Sequence, residues 1–154
     1  MTAVRPSTRA ALLAAAAACA ASCTILNIVR QTEGWTLTLQ RASDGPNYVK
    51  PAGFTAYKPP HGARFINLYL VIKNDAGEAR WFGYDSCAVD LDNEWLVPSL
   101  VTSYMGLLVK INGNEEYSAG ESSHRMLTYA YPKGRSPTRA RCGGAIFELT
   151  EILR

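Results

Sequence analysis

The sequence predicts an all-β fold: an immunoglobulin-like antiparallel β-sandwich of about seven to nine strands preceded by an N-terminal signal helix. Three observations point there. The run Arg64 to Asn74 is the strongest strand former in the chain, with Ile66, Leu68, Leu70 and Ile72 on one face at period two. Turn signals recur at short intervals, at Asn74-Asp75-Ala76-Gly77, Asp92-Asn93, Asn112-Gly113 and Ser118-Ala119-Gly120-Glu121. Finally, no stretch after the leader has apolar residues at helical spacing, while eight Tyr and three Trp favour strands.

The elements follow in order. Leu26 to Gln31 reads as a short tether. Trp35, Leu37 and Leu39 alternate with Thr36, Thr38 and Gln40, giving a half-buried strand from Gly34 to Gln40. Arg41 to Gly62 is a long segment rich in Gly and Pro, which is either a functional loop or a set of short edge strands. The Arg64–Asn74 strand comes next and occupies the centre of the sheet. Its second face carries Phe65, Asn67, Tyr69 and Val71, which the Tyr/Pro-rich segment must cover or leave as an exposed apolar patch. Glu78 to Phe82 is a short strand. Ser86 to Leu91 and Glu94 to Val97 form a β-hairpin around Asp92-Asn93. Leu100 to Ile111 is either one bulged strand or a loop followed by a strand. His124 to Tyr131 is a strand, Pro132 to Arg139 a basic loop, and Ala145 to Thr150 the last strand, with Ala145, Phe147 and Leu149 inward.

The leader sets the compartment. Arg5 and Arg9 form a positive n-region, Ala10 to Ala21 an apolar h-region, and small residues follow, as a secretory signal requires. The chain has 16 basic and 13 acidic residues. Without Arg5 and Arg9, 14 basic residues face those 13, so the remainder is nearly neutral and lacks the concentrated basic face of a nucleic-acid binder. Ala20-Ala21-Ser22-Cys23 resembles the lipobox of bacterial lipoproteins, although that family prefers Leu where Ala20 stands. The resemblance implies a lipid on Cys23, residues 1–22 as signal peptide, 23–33 as lipidated tether and 34–154 as the folded domain. It also implies, through Thr24, sorting to the outer membrane. Plain secretion and an uncleaved anchor are the alternatives.

Parity favours the lipidated reading. With Cys23 modified, Cys87 and Cys142 remain as one pair for a disulfide in an oxidising compartment. Free core thiols, or a metal site short of a third ligand, are the other readings of that pair.

Four short features, Leu68 to Asn74, Val89 to Trp95, Ala119-Gly120-Glu121 and Met126 to Pro132, occur in an order that resembles the bacterial DUF4352-type immunoglobulin-like domains. These include the telomeric-repeat-binding-factor-like group named for its fold. The resemblance runs from about Gly34 to Thr150 and departs at Asn93, where a Gly is usual. It implies a fold and an exported location, and no shared activity.

Chemistry-bearing constellations are sparse. Asp90, Asp92 and Glu94 alternate on what should be a solvent face. They could offer oxygen ligands to Ca²⁺, but the glycine-containing loop of a Ca²⁺ hand is missing, and an edge protected by charge is the simpler reading. His61 and His124 are the only histidines. Ser122 and Ser123 lie beside His124, but there is no Gly-x-Ser-x-Gly elbow, no His-Glu-x-x-His and no Cys-x-x-Cys. Lys133, Arg135, Arg139 and Arg141 form a basic run that is either solvated or turned to an acidic partner. Tyr48, Phe54 and Tyr57, set among prolines, are the candidate binding surface.

The expectation is an exported lipoprotein acting as a non-enzymatic protein-binding module of the cell envelope. It would need no cofactor and no metal, meet the membrane through its lipid, and engage an envelope or secreted protein. The alternatives are an inhibitor or immunity protein against a secreted enzyme or toxin, and a small-ligand or metal carrier.

Overall fold

Alternation along a single strand, Ala63–Asn74, organises the architecture. The computed structural model describes residues 26–45, 49, 56–103, 113–150 and 153, and the backbone of 108–110. Twelve strands occur among them: β1 (Ile28–Thr32), β2 (Trp35–Asp44), β3 (Ala63–Asn74), β4 (Arg80–Gly83), β5 (Ala88–Leu91), β6 (Glu94–Leu96), β7 (Leu100–Ser103), β8 (Leu108–Lys110), β9 (Asn114–Tyr117), β10 (Ser122–Pro132), β11 (Arg139–Cys142) and β12 (Ala145–Glu148). One 3₁₀ turn, Tyr84–Ser86, links β4 to β5. The expected signal helix and Cys23 lie outside the described residues.

The strands form an antiparallel sandwich. One sheet has six strands in the order β1-β2-β3-β10-β7-β8, the second four in the order β12-β11-β5-β6, and β4 pairs with β9 as a small third sheet. β3 is an inner strand, paired with β2 on one side and along its whole length with β10 on the other. Ile66, Leu68, Leu70 and Ile72 are all buried. Leu37, Leu39, Leu127, Tyr129 and Tyr131 join them from β2 and β10, and Val89, Ala140, Cys142 and Phe147 face them from the second sheet. Burial of this apolar area supplies most of the stabilisation, at roughly 25 cal/mol per Å².

Several elements differ from the sequence expectation, each for a physical reason. The segment read as a tether is strand β1, turned into β2 at Glu33-Gly34, where Gly34 has φ +80°. Its burial is poor because it lies at a sheet edge, so it carries little apolar alternation. β2 runs on to Asp44. A bulge between Leu39 and Arg41 inserts one residue and inverts the phase, so that Ala42 again points inward. β11 lies where the basic loop was expected to end, with Arg139 and Arg141 outward and Ala140 and Cys142 buried. The Asp92-Asn93 hairpin forms as expected, with both residues at positive φ (53° and 71°), and Asn93 takes the place a glycine commonly fills.

Cys87 and Cys142 form a disulfide across 55 residues of chain. The bridge does not staple the two sheets together, as an immunoglobulin bridge does. It extends the β5–β11 ladder by one step beyond the Arg141–Ala88 pair, so both cysteines belong to the same sheet. Both are buried, and Tyr129 of the facing sheet donates its hydroxyl to the Cys87 carbonyl at 3.2 Å.

Asn74, at the end of β3, is fully buried and holds the third sheet to the sandwich. Its Nδ2 donates to the carbonyls of Glu78 (2.8 Å), Tyr117 (3.0 Å) and Ser118 (3.1 Å). Its Oδ1 accepts from the Ala76 amide at 3.0 Å. Its own backbone bonds Glu121 and Gly120 at 2.9 and 3.0 Å. Replacing Asn74 by Ala removes the side-chain partner of three carbonyls at once, and the expected loss is about 3 kcal/mol of stability, read as a lowered urea midpoint. Reduction of Cys87–Cys142 releases a long loop and is expected to cost about 4 kcal/mol by the same measurement. Free thiols at both positions in protein purified under oxidising conditions would contradict the bridge.

Candidate binding surface

Tyr57 reaches the outer face of the six-stranded sheet through a local backbone clamp. Its amide donates to the Val49 carbonyl at 2.7 Å, and the Val49 amide donates to the Tyr57 carbonyl at 2.8 Å. The Tyr57 ring stacks on Phe65, with centroids 5.6 Å apart and planes 13° from parallel. Phe65, Val49 and Leu100 make a small outer core, with Met126 and Ala130 against it. Gly45 lies opposite Phe65 one step past the β2–β3 ladder, its amide donating to the Phe65 carbonyl at 2.8 Å, and a Cβ there would lie 2.5 Å from the Phe65 Cβ, so only glycine fits. The second face of β3 is therefore covered at this end by the Tyr/Pro-rich segment. Tyr57 itself remains 37% exposed, one ring face held by Phe65. The other two candidates, Tyr48 and Phe54, lie outside the described residues.

Farther along that face, the buried Thr128 hydroxyl donates to Asn67 Oδ1 at 2.8 Å, and Arg41 lies 5.4 Å over the Tyr69 ring. At the far end Lys73 pairs with Asp75 at 2.8 Å, and Thr36 donates to the same carboxylate. Bonds from Lys73 and Thr36 hold the Asp75 carboxyl below the usual carboxylate range.

The acidic residues weighed as a cation site are drawn apart. Asp90 is buried rather than solvent-facing, because Arg139 donates both Nε (3.0 Å) and Nη2 to its Oδ2. Its other oxygen accepts from the Asn93 amide at 2.9 Å and so shapes the hairpin turn. The Arg139 bond holds the Asp90 carboxyl below its ordinary range. Asp92 pairs instead with Arg135. Among the described residues, no group of three or more His, Cys, Asp or Glu is placed to hold a metal ion. β10 puts Ser123 and His124 on opposite faces, and His61 sits in an exposed turn.

The basic run also divides. Arg139 and Arg141 stand on the outer face of the four-stranded sheet, 5.7 and 4.5 Å from the Trp95 ring centroid. The signal for this was in the sequence: Arg139-Ala140-Arg141-Cys142 alternates basic and small residues, as a strand with one buried face does.

A second charged feature escaped the sequence reading. Arg125 shares the inward phase of Leu127, Tyr129 and Tyr131, so it points into the sandwich near one end. Glu115 of β9 meets it, with Arg125 Nη2 at 2.6 Å from Oε1 and Nε at 3.0 Å from Oε2. Tyr84 donates to the same carboxylate, and so does Tyr117 at 3.3 Å. Burial resists the Glu115 charge, but the Arg125 and Tyr84 bonds outweigh it and hold the carboxyl below its ordinary range. Burial pushes Tyr117 up to about 12 and Tyr84 further upward. Trp35, Phe82 and Tyr117 pack edge to face around this cluster, Trp35 lying 4.9 Å from Phe82 and 5.6 Å from Tyr117.

No family model matches the chain, and a search of curated proteins finds no match. Two solved structures are similar to it. One is an uncharacterized β-sandwich protein from Clostridium difficile, 12% identical with a TM-score of 0.53. The other is a conserved hypothetical protein from Bacillus anthracis, 16% identical with a TM-score of 0.54. Each comparison covers 80% of this chain and 89% of the other. The likeness is one of fold. It places the chain among antiparallel β-sandwiches and carries no activity with it.

The Glu115 cluster makes a pH prediction. A depressed carboxyl contributes stability that is present above the unfolded value of about 4.3 and is lost as pH falls through the folded one. Glu115→Gln should cost about 2 kcal/mol at neutral pH and flatten the acid limb of a stability-versus-pH curve. The raised tyrosines act at the other end. Their contribution is complete below the ordinary tyrosine value of about 10. It falls as pH rises to about 12, where Tyr117 ionises in the fold.

Proposed function

We propose that this chain is an exported lipoprotein of the bacterial cell envelope, held by a lipid on Cys23 and acting as a non-enzymatic protein-binding module. The observation that carries the binding role is Tyr57, an amphipathic ring stacked on a buried Phe65 and left partly open. A ring set on a rigid sheet loses little conformational freedom on meeting a partner, which is why aromatic anchors dominate protein recognition. The leader pattern and the lipobox-like Ala20 to Cys23 support export and anchoring, and the Cys87–Cys142 bridge suits an oxidising compartment. The DUF4352-type resemblance agrees with this location. Asn74 closes the strand that ends in Lys-Asn, which gives that part of the motif a structural role rather than a binding one.

Crosslinking in the native envelope followed by recovery of the protein tests the binding role. Tyr57→Ala should lose at least about 1 kcal/mol of partner affinity, seen as loss of the crosslinked species, while the chain stays folded. An unchanged crosslinking pattern would remove Tyr57 from the interface. For the anchor, Cys23→Ala should move the protein from the membrane fraction to the soluble one; retention in the membrane would refute lipidation at that residue.

A further inference from the structure

The outer face of the four-stranded sheet is independent of the Tyr57 surface, which lies on the other sheet. Strand register sets two rows of residues across it. One row runs Glu148, Arg139, Asp90, Trp95, and the other Ile146, Arg141, Ala88. In the first row the charge of Arg139 is neutralised by Asp90. In the second, Arg141 has only aliphatic neighbours in register, and among the described residues no carboxylate pairs with it. Its guanidinium lies over Trp95 instead, 4.5 Å from the ring centroid. Ile146 is 43% exposed, and Val97, one residue past β6, is 46% exposed. Ala88, opposite Arg141 in register, is fully buried.

We infer that this face binds a protein segment presenting a carboxylate beside an aliphatic side chain. Among the described residues Arg141 is an uncompensated cation, held in position by an aromatic ring, and a planar guanidinium takes a carboxylate through two parallel hydrogen bonds. The exposed faces of Ile146, Trp95 and Val97 receive the aliphatic group. Two other occupants fit the charge pattern less well. A second copy packed on the same patch about a two-fold axis would bring Arg141 toward its own image, an uncompensated like-charge contact. An anionic membrane surface is recognised by clusters of free cations, and here Arg139 and Arg135 already hold Asp90 and Asp92.

The test uses the purified full chain, isotopically labelled, and follows the Trp95 indole resonance, assigned by its loss in Trp95→Phe. The probes are the blocked peptide Leu-Asp-Leu-Asp-Leu and its matched Leu-Asn-Leu-Asn-Leu. The acidic peptide should shift the Trp95 signal saturably, at least about tenfold more tightly than the neutral one, with affinity falling as salt is added. Arg141→Gln should bring the acidic peptide down to the level of the neutral one, with the melting temperature unchanged and Tyr57→Ala without effect. Equal binding of the two peptides, no saturation, or indifference to Arg141→Gln would overturn the inference. So would a larger Trp95 shift with phosphatidylglycerol vesicles than with the acidic peptide, or a concentration-dependent dimer abolished by Arg141→Gln.

Discussion

The buried amide of Asn74 is the constraint on which the assembly of the three sheets depends. A sandwich of two sheets leaves its ends open, and here one end is closed by the β4–β9 pair, which shares no strand ladder with either large sheet. Aromatic packing of Phe82 and Tyr117 on Trp35 gives that closure its apolar area but little direction. Asn74 supplies the direction. One side-chain amide reaches carbonyls on both sides of the small sheet, before β4 and after β9, while the backbone of the same residue binds the Ala119–Glu121 turn. One residue thus ties three carbonyls together, the Tyr117 carbonyl among them being buried. Aspartate cannot replace it, because an ionised carboxylate has no proton to donate.

Two ion pairs mark the borders of the apolar core, and they differ in kind. Arg125–Glu115 fastens β10 of the large sheet to the small sheet, with both side chains mostly covered and two tyrosine hydroxyls completing the carboxylate's shell. Its desolvation cost offsets much of its attraction, so its net contribution is orientation: it permits one register of β9 against the sandwich. Asp90–Arg139 lies within one sheet and is more exposed on the arginine side. There the carboxylate also receives the Asn93 amide, so the pair couples the β5–β6 turn to the neighbouring β11 strand.

What could be read from the sequence follows from these interactions. β3 and β12 were legible because apolar residues recur along them at period two, and the β5–β6 hairpin because Asp92-Asn93 marks its turn. β1 was not, because an edge strand buries only part of its surface and Ile28 is its main inward residue. The second half of β2 was hidden by the bulge at Gln40, which inverts the period by which a strand is recognised. Arg125 and Asp90 look like surface residues by type; Arg125 points inward by its phase with Leu127, Tyr129 and Tyr131, whereas Asp90 lies on the outer face and is covered only through its bonds to Arg139 and the Asn93 amide. The disulfide partners followed from parity, whereas their placement on adjacent strands depends on a β5–β11 register that no local pattern encodes. Of the candidate surface, Tyr57 was legible as an aromatic in a proline-rich loop, while the Trp95–Arg141 contact joins strands more than forty residues apart in sequence.

The two outer faces of the sandwich are finished differently, and the difference bears on recognition. On the six-stranded side the chain folds back over its own sheet. Gly45 leaves room beside Phe65 at the end of the β2–β3 ladder, Val49 and Tyr57 cap Phe65, and a buried Asn67–Thr128 bond fills the middle. On the four-stranded side the described residues provide no such cover over Trp95, Arg141 and Ile146. An antiparallel sheet commonly meets water on one face, but that face is then usually polar. Here aliphatic side chains and a ring-bound arginine stand where short polar residues would be expected. Arg139 shows that the same strand can neutralise a guanidinium when a carboxylate lies opposite in register. At Arg141 that position is filled by Ala88, so no carboxylate stands opposite it in register, a consequence of this sheet's own residue choice.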